Sequence, residues 1–210
     1  MRGIEQIPWM YDVLFWIIER CGLAGWRRWL VGGARGRTLD IGCGTGRNLP
    51  LYRPGVEVIG LDLSADALAR AKQRAPKTTL MLGSAEDLPF PDGYFDTVVS
   101  GLVFCSVSDP IKGLREVRRV LKPTGELRMI EHVRARWRWR QWWQNFIQPA
   151  WVCASGGCHT NRDTEENLRL AGFVIVERVA FDNFRKLRAC AVAPSHAPEV
   201  AAQPTSAESV

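Results

Sequence analysis

No apolar run in this 210-residue chain approaches the roughly 20 residues a membrane-crossing helix needs. Arg2 is the only basic residue before Glu5 and no small-residue cleavage site follows, so a secretory leader is not expected. Both absences point to the cytoplasm, or to the cytoplasmic face of a membrane. Six cysteines are present, but none stand in the close pairs that structural zinc uses. Cys153, Cys158 and His159 come nearest to such a set and fall short of four ligands, so the expectation is no metal and reduced thiols. The net charge of +6 is not spread over the chain; much of it sits between Arg134 and Arg140. With 46% hydrophobic and 24% charged residues, the rest is ordinary for one globular domain with a sizeable core.

The chain is organised around Asp40-Ile41-Gly42-Cys43-Gly44-Thr45-Gly46. A short apolar run, Thr38 to Ile41, reads as a strand, and glycines at every second position follow it. Such glycines let the backbone turn sharply and let a ligand lie against it. Arg47 to Tyr52 can begin a helix, whose opening amides would face a bound group of negative or partial negative charge. Two ligands are excluded by what is missing. A dinucleotide turn needs G-x-G-x-x-G, and Arg47 occupies its last glycine position; a P-loop needs a lysine, and none follows Gly46.

A second apolar run, Val56 to Leu61, ends at Asp62, an acid placed to accept hydrogen bonds from two ribose hydroxyls. Ser64 offers an N-cap for a helix from Ala65 to Ala75. Further strands are expected at 78–82, 95–100, 126–131, 173–178 and 187–193. Asp109-Pro110 starts a helix in which Ile111, Leu114, Val117, Val120 and Leu121 share one face, and Pro123 with Gly125 stops it. The alternation argues for a mainly parallel α/β sheet with helices on both faces, and with ligands beyond the carboxyl ends of the strands.

The D-x-G-x-G-x-G turn resembles motif I of class I S-adenosylmethionine-dependent methyltransferases. Gly83-Ser84-Ala85-Glu86-Asp87-Leu88-Pro89-Phe90 resembles that family's G-D-A-E-D-L-P-F segment at the adenine end, with Ser84 in place of the usual acid. The resemblance implies a Rossmann-like fold of seven strands, the final one antiparallel, and S-adenosyl-L-methionine as cofactor. It implies cofactor contacts at Tyr11, Asp40, Gly42, Cys43, Gly44, Asn48, Asp62, Leu63, Ser84, Ala85, Glu86 and Leu102.

Downstream, Leu102-Val103-Phe104-Cys105-Ser106-Val107, Glu131-His132-Val133, Pro149-Ala150-Trp151 and Gly157-Cys158 with Arg162 resemble the thiol S-methyltransferases of the methyltransferase-like seven type and their bacterial relatives. A small hydrophobic acceptor, most naturally a thiol, is what this implies. Methylation of a phospholipid amine or a quinone carbon stays open, as does a catalytically silent cofactor-binding module at a membrane or on RNA. His132, at the carboxyl end of a central strand, is the first candidate base or orienting group. His159 is the second, or else it caps the helix from Thr164. Cys105 is expected in the acceptor wall.

Five of the nine tryptophans fall between positions 137 and 151, and Trp139, Trp142, Trp143 and Phe146 share one helical face. In this fold the insertion after the fifth strand commonly caps the acceptor pocket. An aromatic lid over about 134–160 is therefore expected, with Trp142, Trp143 and Trp151 against the acceptor. Arginine interleaved with tryptophan also suits a membrane interface, so peripheral contact with lipid is a second use of the same stretch. Nucleic acid is not expected, because the basic cluster is short and no nucleic-acid module accompanies it. Residues 1–36 are read as a helical cap with an apolar stretch from Val13 to Ile18, 37–193 as the methyltransferase domain, and 194–210 as a disordered tail.

Overall fold

The computed structural model describes residues 24–155, 157–181 and 184–191. Tyr11, the Val13–Ile18 stretch and the proposed tail lie outside them. The described chain builds seven strands: β1 (Arg37–Ile41), β2 (Glu57–Asp62), β3 (Thr79–Leu82), β4 (Phe95–Gly101), β5 (Leu121–His132), β6 (Val174–Phe181) and β7 (Phe184–Cys190). Five helices accompany them: α1 (Ala24–Gly32), α2 (Ala65–Arg74), α3 (Pro110–Val120), α4 (Arg138–Ser155) and α5 (Thr164–Leu170).

The sheet order is β3-β2-β1-β4-β5-β7-β6. Strands β1 to β5 are parallel to their neighbours, and β7 runs antiparallel to both β5 and β6. The direction of winding reverses between β1 and β4, so the loops leaving those two strands diverge and open a crevice. On one face, α3 lays Leu114, Val117 and Val120 against Val98, Leu127 and Met129. On the other, Leu30 and Val31 of α1 cover Val99 and Ile130. The C-terminal carbonyls of α1 are satisfied by buried Arg128, which donates to Leu30 O at 2.9 Å and Trp29 O at 2.7 Å.

Capping follows the sequence. Ser64 accepts from Ala67 N and Asp109 from Lys112 N, so α2 and α3 start where their caps stand. Two expectations are corrected. The stretch after the glycine turn makes only a 3-10 turn, Leu49–Leu51, because Pro50 and then Pro54-Gly55 interrupt any longer helix. No α-helix therefore follows the glycine turn directly; the next begins at Ala65. The helix from Thr164 is capped by Asp163, which accepts from Glu166 N, and not by His159.

Candidate active site

A cleft of about 600 Å³ opens beyond the carboxyl ends of β1, β2 and β4. Its size suits a nucleoside-sized ligand. Gly42 and Gly44 form its floor with φ of +59° and +54°, a region side chains disfavour. At Gly42 a Cβ would lie 2.4 Å from Val103 Cγ2, so glycine is required for packing as well as for the turn. At Gly44 the nearest atom to a Cβ would be Gly42 O at 4.0 Å, which leaves the backbone open to a ligand.

Asp62 ends β2 and enters the cleft. Its two oxygens each accept one backbone N–H, from Gly44 and Ser64, both at 2.8 Å. Each oxygen keeps a further lone pair for a ligand hydroxyl. Burial raises its pKa, against the pull of those amides. Leu63, Ser84, Ala85, Glu86 and Leu102 complete the lining expected from the sequence. Ser84 Oγ is turned to the backbone, accepting from Glu86 N at 3.1 Å, and Glu86 Oε1 accepts from Asp109 N at 2.9 Å.

Three expected contacts sit behind the wall. Asp40 is fully buried under the turn, accepting from Asn48 Nδ2 at 3.3 Å. Its Oδ2 is buried without a well-formed hydrogen bond, with the Tyr52 hydroxyl in the same space, and burial lifts its pKa to about 7. Asn48 is itself held by Arg27 Nη1 at 2.8 Å. The Cys43 side chain packs toward Gly60, and burial pushes its thiol up. These three shape the turn and set its field; they do not line the cleft.

The opposite wall is a turn, Leu102 to Val107, that the sequence marked only in part. Leu102 is held at φ +62°, costly for a branched side chain by about 1–3 kcal/mol. Glu131, buried at the end of β5, accounts for it: Oε1 accepts from Val103 N and Phe104 N at 3.0 Å each, and Oε2 from Cys105 N at 3.1 Å. Burial raises Glu131 to about 7 while those three amides pull it back. From the other side Arg162 Nη1 donates to Phe104 O and Val107 O, both at 2.6 Å. An acid and a base thus clasp one short turn, and Val103, Ser106 and Val107 reach the cleft from it.

Beneath that turn Cys105, His132 and Cys158 meet. Cys158 Sγ lies 3.7 Å from His132 Nδ1, and the His132 ring packs on Phe184 with centroids 4.4 Å apart. Hydrogen bonding from Cys105 and then from His132 holds the Cys158 thiol below its ordinary range, while the same bond and burial push Cys105 up. His159 serves the loop: its Nδ1 donates to Gly157 O at 2.8 Å, and its backbone N–H to Cys105 O at 2.7 Å. Neither histidine lines the cofactor cleft.

Helix α4 inverts the usual pattern. Its described buried side chains are polar, the amides of Gln144 and Gln148 and the hydroxyl of Ser155: Gln144 accepts from Ala135 N at 2.7 Å, and Gln148 donates to Cys158 O at 3.1 Å. Its aromatic side chains face outward. Trp139 is 64% exposed and Phe146 66%, and Trp142, Trp143 and Phe146 pack on one another with centroids 5.2 to 5.8 Å apart. Trp142 and Trp143, expected against the acceptor, stand exposed on the outer face of α4. Trp151 differs: although 43% exposed, it reaches Cys158.

The glycine turn, Asp62 at the end of β2 and the cleft at the switch point stand together where the resemblance to class I methyltransferases implied a cofactor site. The chain matches a family described as a methyltransferase domain over residues 39–129. It is 36% identical over 151 residues to thiol S-methyltransferase TMT1B of Homo sapiens, covering 67% of this chain and 62% of that protein. It is 39% identical over 103 residues to phosphatidylethanolamine N-methyltransferase of Cereibacter sphaeroides, covering 46% and 51%. In fold it resembles an S-adenosylmethionine-dependent methyltransferase of Thermotoga maritima, with a TM-score of 0.70 at 21% identity over 90% of this chain and 97% of that one. The chain spans about three fifths of the length of the thiol S-methyltransferases it matches. It belongs to the class I S-adenosylmethionine-dependent methyltransferases, whose cofactor is S-adenosyl-L-methionine.

The residues present fit that cofactor. The open backbone at Gly44 and the lone pairs left on Asp62 supply room and hydroxyl acceptors where a nucleoside would sit.

Proposed function

We propose that this chain transfers the methyl group of S-adenosylmethionine to the sulfur of a small lipophilic thiol at a membrane surface. The observation that carries this reading is the turn 102–107, clasped by Glu131 and Arg162, which brings the Cys105 segment beside the cofactor cleft. These are the segments on which the chain resembles thiol S-methyltransferases. The cofactor supplies an activated methyl group; the chain must align the acceptor and exclude water. Leu102, Val103 and Val107 give an apolar wall for that purpose. A thiol with pKa about 8.5 ionises with little help, so no strong base is demanded of the cleft. His132 then acts by position, fixing the loop that carries Cys158.

The membrane part rests on α4. Its amide face is used up on the protein, so its aromatic face is left for an apolar medium. Arg134, Arg136 and Arg138, all exposed, stand with Arg140 at its start, suited to anionic headgroups. No helix among the described residues is long and apolar enough to cross a membrane. The test of function is a transfer assay with labelled cofactor offered alkyl thiols, lipid amines and quinols. Thioether should dominate; methylated lipid amine or quinol without thioether would replace this reading.

A further inference from the structure

The Cys105–His132–Cys158 cluster does not line the cofactor cleft, yet it is closely framed by hydrogen bonds and packing. Its three donor atoms lie within 4.8 Å of one another, with both cysteines buried and His132 half-buried. Every ligand is fixed through its backbone or ring. Cys105 gives its N–H to Glu131 and receives that of His159; Cys158 gives its N–H to Ser155 Oγ at 3.2 Å and receives the Gln148 amide; His132 rests on Phe184. Such outer contacts orient metal ligands.

We propose that Cys105, His132 and Cys158 form a three-ligand zinc site whose open fourth position takes a thiolate. Two sulfurs and an imidazole are the donors a borderline d10 cation prefers. With Zn–S about 2.3 Å and Zn–N about 2.0–2.1 Å, the edges of a tetrahedron are about 3.5–3.8 Å. The sulfur-to-nitrogen edge is the shorter of these, about 3.5–3.6 Å, and the observed separation of 3.7 Å comes within about 0.2 Å of it. Among the described residues no fourth cysteine, histidine or carboxylate joins the group. Three protein ligands with one open position is the arrangement of a reactive zinc, not a structural one. His132 is half-buried, and Cys105 belongs to the turn whose neighbours Ser106 and Val107 wall the cleft.

The use of the fourth position rests on the thiol reading above; zinc binding does not. A thiol entering there loses its proton to solvent and is held as thiolate. Its lone pair takes the methyl carbon as the bond to the sulfonium sulfur breaks, which leaves a thioether and S-adenosylhomocysteine. The neutral thioether is the weaker donor and departs.

Anaerobic titration of the chelator-treated full chain with cobalt(II), in a phosphine reductant, reads the site directly. One equivalent should bind with thiolate-to-cobalt charge transfer and the intense visible bands of a tetrahedral ion, and zinc should displace it. Cys105→Ser and Cys158→Ser should each weaken binding by more than the about 10–100-fold that loss of an outer contact costs. Cys153→Ser, on an exposed cysteine, should leave it unchanged. Calorimetric cofactor binding reports whether each variant is folded. An alkyl thiol should then shift the visible bands. Absence of charge transfer in wild-type protein, with no rise in its melting temperature on adding zinc, would overturn the site. Cobalt bands that ignore added thiol would overturn the fourth-ligand role alone. Bands that shift while no thioether forms would uphold the site and count against the methylation reading.

Discussion

Glu131 holds Cys105 in place by accepting its backbone N–H at 3.1 Å. The same carboxylate serves Val103 and Phe104, so one buried side chain satisfies three backbone donors. Glu131→Gln turns an NH2 group toward at least one of them. A buried donor left unpaired costs about 1–3 kcal/mol. Urea denaturation should show a loss of that order, with acceptor KM raised more than cofactor Kd. A variant as stable as wild type would mean the clasp is incidental.

Asp62 offers a ligand the lone pairs left over from Gly44 and Ser64. Asp62→Asn keeps one carbonyl oxygen and removes the charge. Losing hydrogen bonds to a charged acceptor should weaken S-adenosylmethionine about 10–100-fold by calorimetry. Unchanged affinity would remove Asp62 from the cofactor site.

Asp40 makes stability depend on pH. In the native state it holds its proton to about 7, against an ordinary value of 3.8, because burial disfavours the anion. Across that interval the folded chain binds more protons than the unfolded one, so this contribution is full below the lower value and is lost as pH rises toward the upper. The whole effect is ~4 kcal/mol at most. Asp62 and Glu131 are shifted the same way. In denaturation midpoints taken from about pH 4 to about pH 8, Asp40→Asn should flatten the fall without abolishing it. A variant with the wild-type slope would assign the pH dependence elsewhere.

The outer face of α4 should matter to lipid and not to folding. Trp142→Ser with Trp143→Ser changes exposed side chains and should move stability by no more than about 0.5 kcal/mol each. Sedimentation with anionic liposomes should fall, and Arg136, Arg138 and Arg140 changed together to Gln should mimic high salt. Wild-type protein that stays in the supernatant at low salt would contradict membrane contact. A large loss of stability would instead show that the tryptophans cover the protein.

Much of this was legible in the chain, because periodicity and capping are local. Leu114, Val117 and Val120 marked the buried face of α3, and the Gly42–Gly46 turn with Asp62 marked the cleft. The period of the tryptophans gave their shared face but not its direction. That was decided by Gln144 and Gln148, whose amides find carbonyl and N–H partners only on the protein. Strand β5 reaches back past Pro123 to Leu121 because Leu121 pairs with Phe95, a tertiary fact. Cys105, His132 and Cys158 come from three elements, each separated from the next by 26 residues or more, so no spacing rule could find them. Glu131 and Arg162 were quoted as parts of motifs, but their common target was visible only once the turn between them had folded.

The most direct test of the account is incubation of the wild-type chain with S-adenosylmethionine deuterated at the methyl group and an alkyl thiol, followed by mass spectrometry of the extracted product. The account predicts a thioether carrying all three deuterons, formed catalytically and lost with Asp62→Asn. Cofactor bound and left intact, with no thioether above the protein-free control, would contradict it.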